Sequence, residues 1–243
     1  MEKISFSYHL WRWRRLRQKV IFRGLIRVLI VGILFACCIG IGTRKVFLQE
    51  QYVLPAIILD AGHGGEDGGA VSCTGIRESI INLDITLRMD QLLGLLGEQA
   101  ILLRSDDVSL HDVTAQTLRE KKVSDLKNRA DAVNSYANAT LVSIHQNSYP
   151  EKKYRGTQVF YSPTEGSQLL AQALQMAIRT TLQPENSRQE KQIPDTVYLM
   201  NHIKNRAILI ECGFLTNEDE EYLLRQPSYQ RKLALVFAWA LLE

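Results

Sequence analysis

The stretch Ala56–Ala70, A-I-I-L-D-A-G-H-G-G-E-D-G-G-A, is a short apolar run that breaks abruptly into a glycine-rich loop. The loop carries one histidine, His63, flanked by Asp60, Glu66 and Asp67. Ligands of open α/β sheets bind beyond the carboxyl ends of the strands, so a buried strand that delivers a histidine just past its end marks a site. The surrounding glycines let backbone approach a ligand closely, which favours a functional histidine over one that merely caps a carbonyl.

Downstream, strand and helix patterns alternate. Ile57–Asp60 reads as the first strand, and Glu78–Leu96 as a helix with Ile81, Ile85, Leu92 and Leu96 near helical spacing. Further strands are expected at Ala100–Arg104, Thr140–His145, Thr157–Tyr161, Ala207–Glu211 and, briefly, Val197–Met200. Helices are expected at Asp125–Tyr136, Ser167–Leu182, Glu218–Arg225 and Ser228–Leu242. The polar stretch Ser105–Thr117 is too long for a tight turn and suits the rim of a site. Strands separated by helices of this length predict an α/β fold with a mainly parallel sheet covered by helices on both faces. No repeat or low-complexity tract interrupts residues 51–243, which are read as one domain.

Upstream, the composition changes. Residues 1–50 hold ten Lys and Arg against two acids, while the remaining residues hold 19 basic and 24 acidic ones. The body is therefore mildly acidic and offers no basic field for nucleic acid. Between Arg27 and Thr43 lie 15 residues without charge, about 22 Å of helix at ~1.5 Å per residue and short of a standard span. Extending it backward requires Arg23 and Arg27 to snorkel. Eight positive charges before Val28 and two after Gly42 place the amino terminus in the cytoplasm and the rest outside. A secretory signal has the same layout, but neither Gly40-Ile41-Gly42 nor Leu34-Phe35-Ala36-Cys37 is a clean processing signal, so an uncleaved membrane anchor is the preferred reading. The expected organisation is a basic leader (1–27), an apolar anchor or signal segment (28–42), a connector (43–55) and a catalytic domain (56–243). Four cysteines form no disulfide framework: Cys37 and Cys38 fall in the apolar run, and Cys73 and Cys212 pair only if the fold unites them. Cys212 reads as a small hydrophobe at a strand end rather than a nucleophile.

Three apolar strands finish in residues that an apolar strand has no use for: His63 past the first, His145 at the end of the third, and Glu211 at the end of the last. In a parallel sheet all three emerge on one edge. Glu78 opens the first long helix, with Asn82 one turn later on the same face. Two histidines and a carboxylate are the ligand set of a catalytic zinc ion, with the fourth position left to water. One glutamate then stays free as a base, and Glu78 and Glu211 divide those roles. His9, His111 and His202 lie in unremarkable polar surroundings, and nothing resembles a nucleophile elbow.

The runs L-D-A-G-H-G-G-E-D-G-G-A, R-E-S-I-I-N, L-K-N-R-A-D-A-V-N, S-I-H-Q-N and I-L-I-E-C-G-F-L-T-N, in this order, resemble the zinc-dependent N-acetylmuramoyl-L-alanine amidases of the Amidase_3 family. The likeness covers Ala56–Glu243. It implies a twisted six-stranded sheet flanked by helices, zinc ligands at His63, Glu78 and His145, and Glu211 as the catalytic carboxylate. Asp60, Asn82 and Asn147 are expected to orient the ligands. Ala61 and Arg206 stand where many members have proline, and neither touches a ligand. The implied reaction is hydrolysis of the amide between N-acetylmuramic acid and L-alanine, so the implied partner is a peptidoglycan glycan strand with its stem peptide.

A short anchor joined directly to a lone catalytic domain is similar to the spore-cortex amidases of endospore formers. Those act ahead of a deacetylase in making muramic lactam, and some work with a lipoprotein partner. A vegetative autolysin of the same fold is the other member type that suits the layout. Two rivals of other classes are an inactive amidase-like module that binds peptidoglycan or a partner, and a different zinc hydrolase of the cell wall such as a carboxypeptidase.

Overall fold

The computed structural model describes Ile30 and residues 55–243. Six strands, β1 (Ala56–Ala61), β2 (Ala100–Leu102), β3 (Ala139–Asn147), β4 (Gln158–Tyr161), β5 (Lys191–Gln192) and β6 (Arg206–Phe214), form one sheet in the order β2-β1-β3-β6-β4-β5. Every neighbouring pair is parallel except β4 and β6. The helices are α1 (Glu78–Leu95), α2 (Leu118–Asn134), α3 (Ser167–Thr181), α4 (Tyr198–His202), α5 (Glu218–Leu224) and α6 (Pro227–Leu242).

Side chains alternate across each strand, and this period of two sorts the core into two layers. Ile57, Leu59, Val142, Ile144, Ile208 and Ile210 pack under α1, α3 and α6. Ile58, Leu141, Ala207 and Leu209 pack with Ala130 and Val133 of α2 and with Leu199 and Met200 of α4. The expected α/β sheet covered on both faces is thus present, with β4 and β5 running opposite to the other four strands and making it mixed. Its direction of winding reverses at β1 and β3, because β2 lies on one side of β1 and β3 on the other. A crevice at such a switch point is where open α/β sheets bind ligands.

Two expectations need correction, and one strand was not expected at all. The apolar run from Val197 is no strand but the start of α4, where Asn201 Nδ2 donates back to the Val197 carbonyl at 2.9 Å. Four apolar residues suit one helical turn as well as a strand, and tertiary packing of Leu199 and Met200 decides. Helix α2 begins at Leu118 rather than Asp125. Its signal is a capping box: Glu120 N–H donates to Thr117 Oγ1 at 3.2 Å, and Thr117 N–H donates to the Glu120 carboxylate at 3.0 Å. The polar residues of that first turn carry no apolar period. Finally, the two-residue edge strand β5 has no pattern of its own and forms by pairing with Phe160 and Tyr161.

Cys73 is exposed and Cys212 buried, and both are free. Burial pushes the Cys212 thiol well above its ordinary value, as expected of a small core hydrophobe. The expected leader and anchor lie outside the described residues. Among the described residues, no helix is long and apolar enough to cross a membrane.

Candidate active site

His63 occupies the loop after β1, Glu78 is the first residue of α1, and His145 and Glu211 sit near the carboxyl ends of β3 and β6. One donor atom from each of His63, Glu78 and His145 lies within 4.8 Å of the others. The Glu78 carboxylate lies between the two rings: Oε2 is 3.4 Å from His63 Nε2, and Oε1 is 3.0 Å from His145 Nδ1. Such a set of two imidazoles and one carboxylate, converging from three elements, fits a tetrahedral cation with one position open.

The glycines of the loop make room for these side chains. A Cβ on Gly62 would lie 2.2 Å from the His145 ring, and one on Gly69 would lie 2.6 Å from Glu78 Oε2 and 2.8 Å from His63 Cδ2. At Gly69 the positive φ of 68° independently disfavours a side chain.

The two glutamates differ sharply in their surroundings. Besides the histidines, Glu78 accepts hydrogen bonds from Ala70 N–H at 2.9 Å, Gln146 N–H at 3.1 Å and Asn82 Nδ2 at 3.2 Å. Burial alone would raise its pKa, but the bonds from His145 and His63 drive it far below the usual carboxylate range. Glu211 pairs in register with His145 across β3 and β6, which puts the two side chains on the same face. Its Oε2 is buried and has no hydrogen-bond partner. Burial, with the Glu78 charge adding to it and the histidines opposing, pushes Glu211 up to about 7.

Among the residues expected to orient the ligands, Asn82 touches Glu78 and also donates to the Gly62 carbonyl at 3.2 Å. Asp60 is buried and lines the same cavity as His63 and His145, where it pairs with Arg129 and accepts from Ser143 Oγ at 2.6 Å. Asn147 lies past the bulge in β3, and its backbone carbonyl accepts from Leu215 N–H at 2.8 Å.

Two contributors went unassigned in the sequence. Asp67 Oδ2 lies 3.0 Å from His63 Nδ1, so a carboxylate backs the ring on the side away from Glu78. Asp67 and Glu78 outweigh the effect of burial and raise His63 to about 9. Gln146 ties Glu78 to Asn82 through its backbone N–H and its side-chain Nε2, the latter 3.1 Å from Asn82 Oδ1. The spacing of four between His63 and Asp67 was visible, but a loop has no fixed period to give it meaning. A cavity of about 210 Å³ opens beside both histidines, walled by Lys122 of α2 and by Tyr198 and Leu199 of α4.

Comparison with known proteins agrees with this geometry. The family model described as N-acetylmuramoyl-L-alanine amidase, Amidase_3, matches residues 57–243. The germination-specific N-acetylmuramoyl-L-alanine amidase of Bacillus subtilis is 34% identical over 179 residues, which is 73% of this chain and 74% of that one. The CwlD amidase of Clostridioides difficile, solved in complex with the GerS lipoprotein, superposes with a TM-score of 0.74 at 37% identity, covering 77% of this chain and 96% of the other. An N-acetylmuramoyl-L-alanine amidase of Clostridium difficile 630 gives 0.65 at 30% identity, covering 77% and 95%. The chain belongs to the Amidase_3 family of N-acetylmuramoyl-L-alanine amidases.

Proposed function

We propose that the chain hydrolyses the amide between N-acetylmuramic acid and L-alanine in peptidoglycan, with His63, Glu78 and His145 holding a zinc ion and Glu211 acting as the catalytic carboxylate. The contrast between the two glutamates carries this division of roles. Glu78 is fully hydrogen-bonded and held as a carboxylate between two imidazoles, which suits a ligand. Glu211 has an unbonded buried oxygen and a pKa near neutrality, which suits proton transfer at working pH.

Bound by those ligands, zinc supplies Lewis acidity that polarises the scissile carbonyl and makes the attacking water more acidic. Glu211 accepts the water proton and delivers it to the amide nitrogen as the amine of L-alanine leaves. Asp67 holds the His63 ring, and Asn82 holds the Glu78 carboxylate, so that neither ligand turns as charge develops.

Action in spore cortex during muramic lactam formation is supported by the likeness to a germination-specific amidase and to a CwlD amidase. A lipoprotein partner is proposed on the same basis, since the Clostridioides difficile relative is solved with one. Residues 56–243 are read as the catalytic domain, and the basic leader and charge-free run of residues 1–50 support an anchored or exported enzyme with this domain outside the cytoplasm. Digestion of purified peptidoglycan by the zinc-loaded protein, followed by mass spectrometry, tests the reaction. Release of intact stem peptides with a free L-alanine amine is expected; cleavage within the stem peptide instead would identify a carboxypeptidase or endopeptidase.

A further inference from the structure

Three consecutive backbone carbonyls, those of Ala61, Gly62 and His63, all accept hydrogen bonds from two buried guanidinium groups. Arg104 Nε donates to Ala61 O at 2.7 Å and its Nη2 to Gly62 O at 3.0 Å. Arg129 Nη1 donates to Ala61 O at 3.1 Å and its Nη2 to His63 O at 2.8 Å. The same Arg104 Nη2 reaches Ser79 O at 3.0 Å, so one guanidinium joins the His63 loop to the turn that carries Glu78.

Two further facts make this more than packing. His63 has a φ of 62°, the one positive value at a non-glycine position among the described residues. A residue with a Cβ is strained in the left-handed region and persists there only where the surroundings enforce it. Arg104, moreover, is 3% exposed, and its four hydrogen bonds all run to backbone carbonyls rather than to a carboxylate. A buried charge arranged this way is costly for stability alone. Arg129 is anchored differently, by Asp60 and by Asp125, whose Oδ2 lies 2.7 Å from Nε.

We propose that Arg104 and Arg129 are positioning residues for the metal: by gripping these three carbonyls they hold His63 in its left-handed conformation and aim its ring at Glu78 and His145. The proposal rests on the reading of His63, Glu78 and His145 as metal ligands. Its consequence is that metal affinity depends on two side chains that never touch the ion. Lysine at either position keeps the charge but lacks the planar fork needed to span two carbonyls.

The test measures zinc dissociation constants of the full chain by chelator competition, together with the visible absorption of the cobalt-substituted protein. Wild type should bind one zinc, and His63→Ala should lose it. Arg129→Lys and Arg104→Lys, shown to be folded by circular dichroism, should bind zinc about 10- to 100-fold more weakly and shift the cobalt bands. Gln175→Ala serves as the structural control, because buried Gln175 bonds Val159 N–H and the Thr157 carbonyl and touches neither arginine nor any of the three carbonyls; it should lower the melting temperature and leave affinity and spectrum unchanged. Wild-type affinity in the folded lysine variants, or an equal loss in Gln175→Ala, would overturn the proposal. Failure of wild type to bind zinc, or full binding by His63→Ala, would overturn the ligand assignment beneath it. If Arg129→Lys does not fold, Arg104→Lys decides alone, since its replacement strands no paired carboxylate.

Discussion

His145 and Glu211 stand opposite each other across the β3 and β6 ladder, one ring nitrogen committed to Glu78 and one carboxylate oxygen committed to nothing. On the proposed reading, these adjacent residues on one sheet face carry different tasks, His145 holding an ion and Glu211 moving a proton.

Glu211→Gln separates those tasks. The amide matches the carboxylate in shape and cannot accept a proton, so zinc content should stay at wild-type level while kcat falls by about 10²- to 10⁴-fold. Metal analysis beside peptidoglycan digestion checks this, and a fully active variant would remove Glu211 from the mechanism.

The metal-free protein should lose stability as pH rises from about 5 to 9. Glu211 is raised from 4.5 to about 7, so the folded state keeps a proton that the unfolded state releases, and stability declines across that window. His63 is raised from 6.5 to about 9, so its contribution is complete below 6.5 and fades as pH climbs through 9. Each shift amounts to on the order of 3 kcal/mol at about 1.4 kcal/mol per pKa unit. Asp60 and Glu78 are lowered, so their contributions are complete above 4.5 and do not oppose the trend. Zinc displaces protons from the site, and its stabilising effect should therefore grow with pH. Thermal melts with chelator and with zinc at pH 6 and pH 8 test both signs; a chelated protein that melts higher at pH 8 contradicts the account.

Two glycine substitutions should act in opposite directions. Gly62→Ala drives a methyl group into the His145 ring, so it should abolish zinc binding or destabilise the fold by about 1–3 kcal/mol, the scale of core overpacking. Gly94→Ala lies within α1 with nothing within 4 Å of the added carbon. It should stabilise by about 0.5–1 kcal/mol through helix propensity alone. Urea unfolding of the two variants measures both, and a stabilising Gly62→Ala would show that the ring is free to move aside.

Thr117→Ala removes the capping box that starts α2. A loss of about 1 kcal/mol is expected, with amide exchange accelerated first in residues 118–121. Unchanged exchange there would mean that packing of Ala130 and Val133, rather than the cap, sets where the helix begins.

The chain order of its own residues was enough to establish the alternating elements, the two-sided burial of the sheet and the identity of His63, His145 and Glu211 as chemically out of place, with Glu78 a fourth candidate at a helix start. Each is a local signal: a period of two or 3.6, or a charged group where an apolar strand should simply end. Local signals also failed where they were weakest, at the polar first turn of α2 and in the short run that becomes α4. The assignment of tasks to Glu78 and Glu211 was open in the sequence and was reached there only through family likeness. Tertiary structure supplies a physical reason, because hydrogen bonds from Ala70, Asn82 and Gln146 converge on Glu78 while burial isolates an oxygen of Glu211. The same holds for Asp67, Arg104 and Arg129: a carboxylate or guanidinium in a sequence has no partner until folding brings a ring or a row of carbonyls within 3 Å of it, and desolvation then makes that pairing decisive.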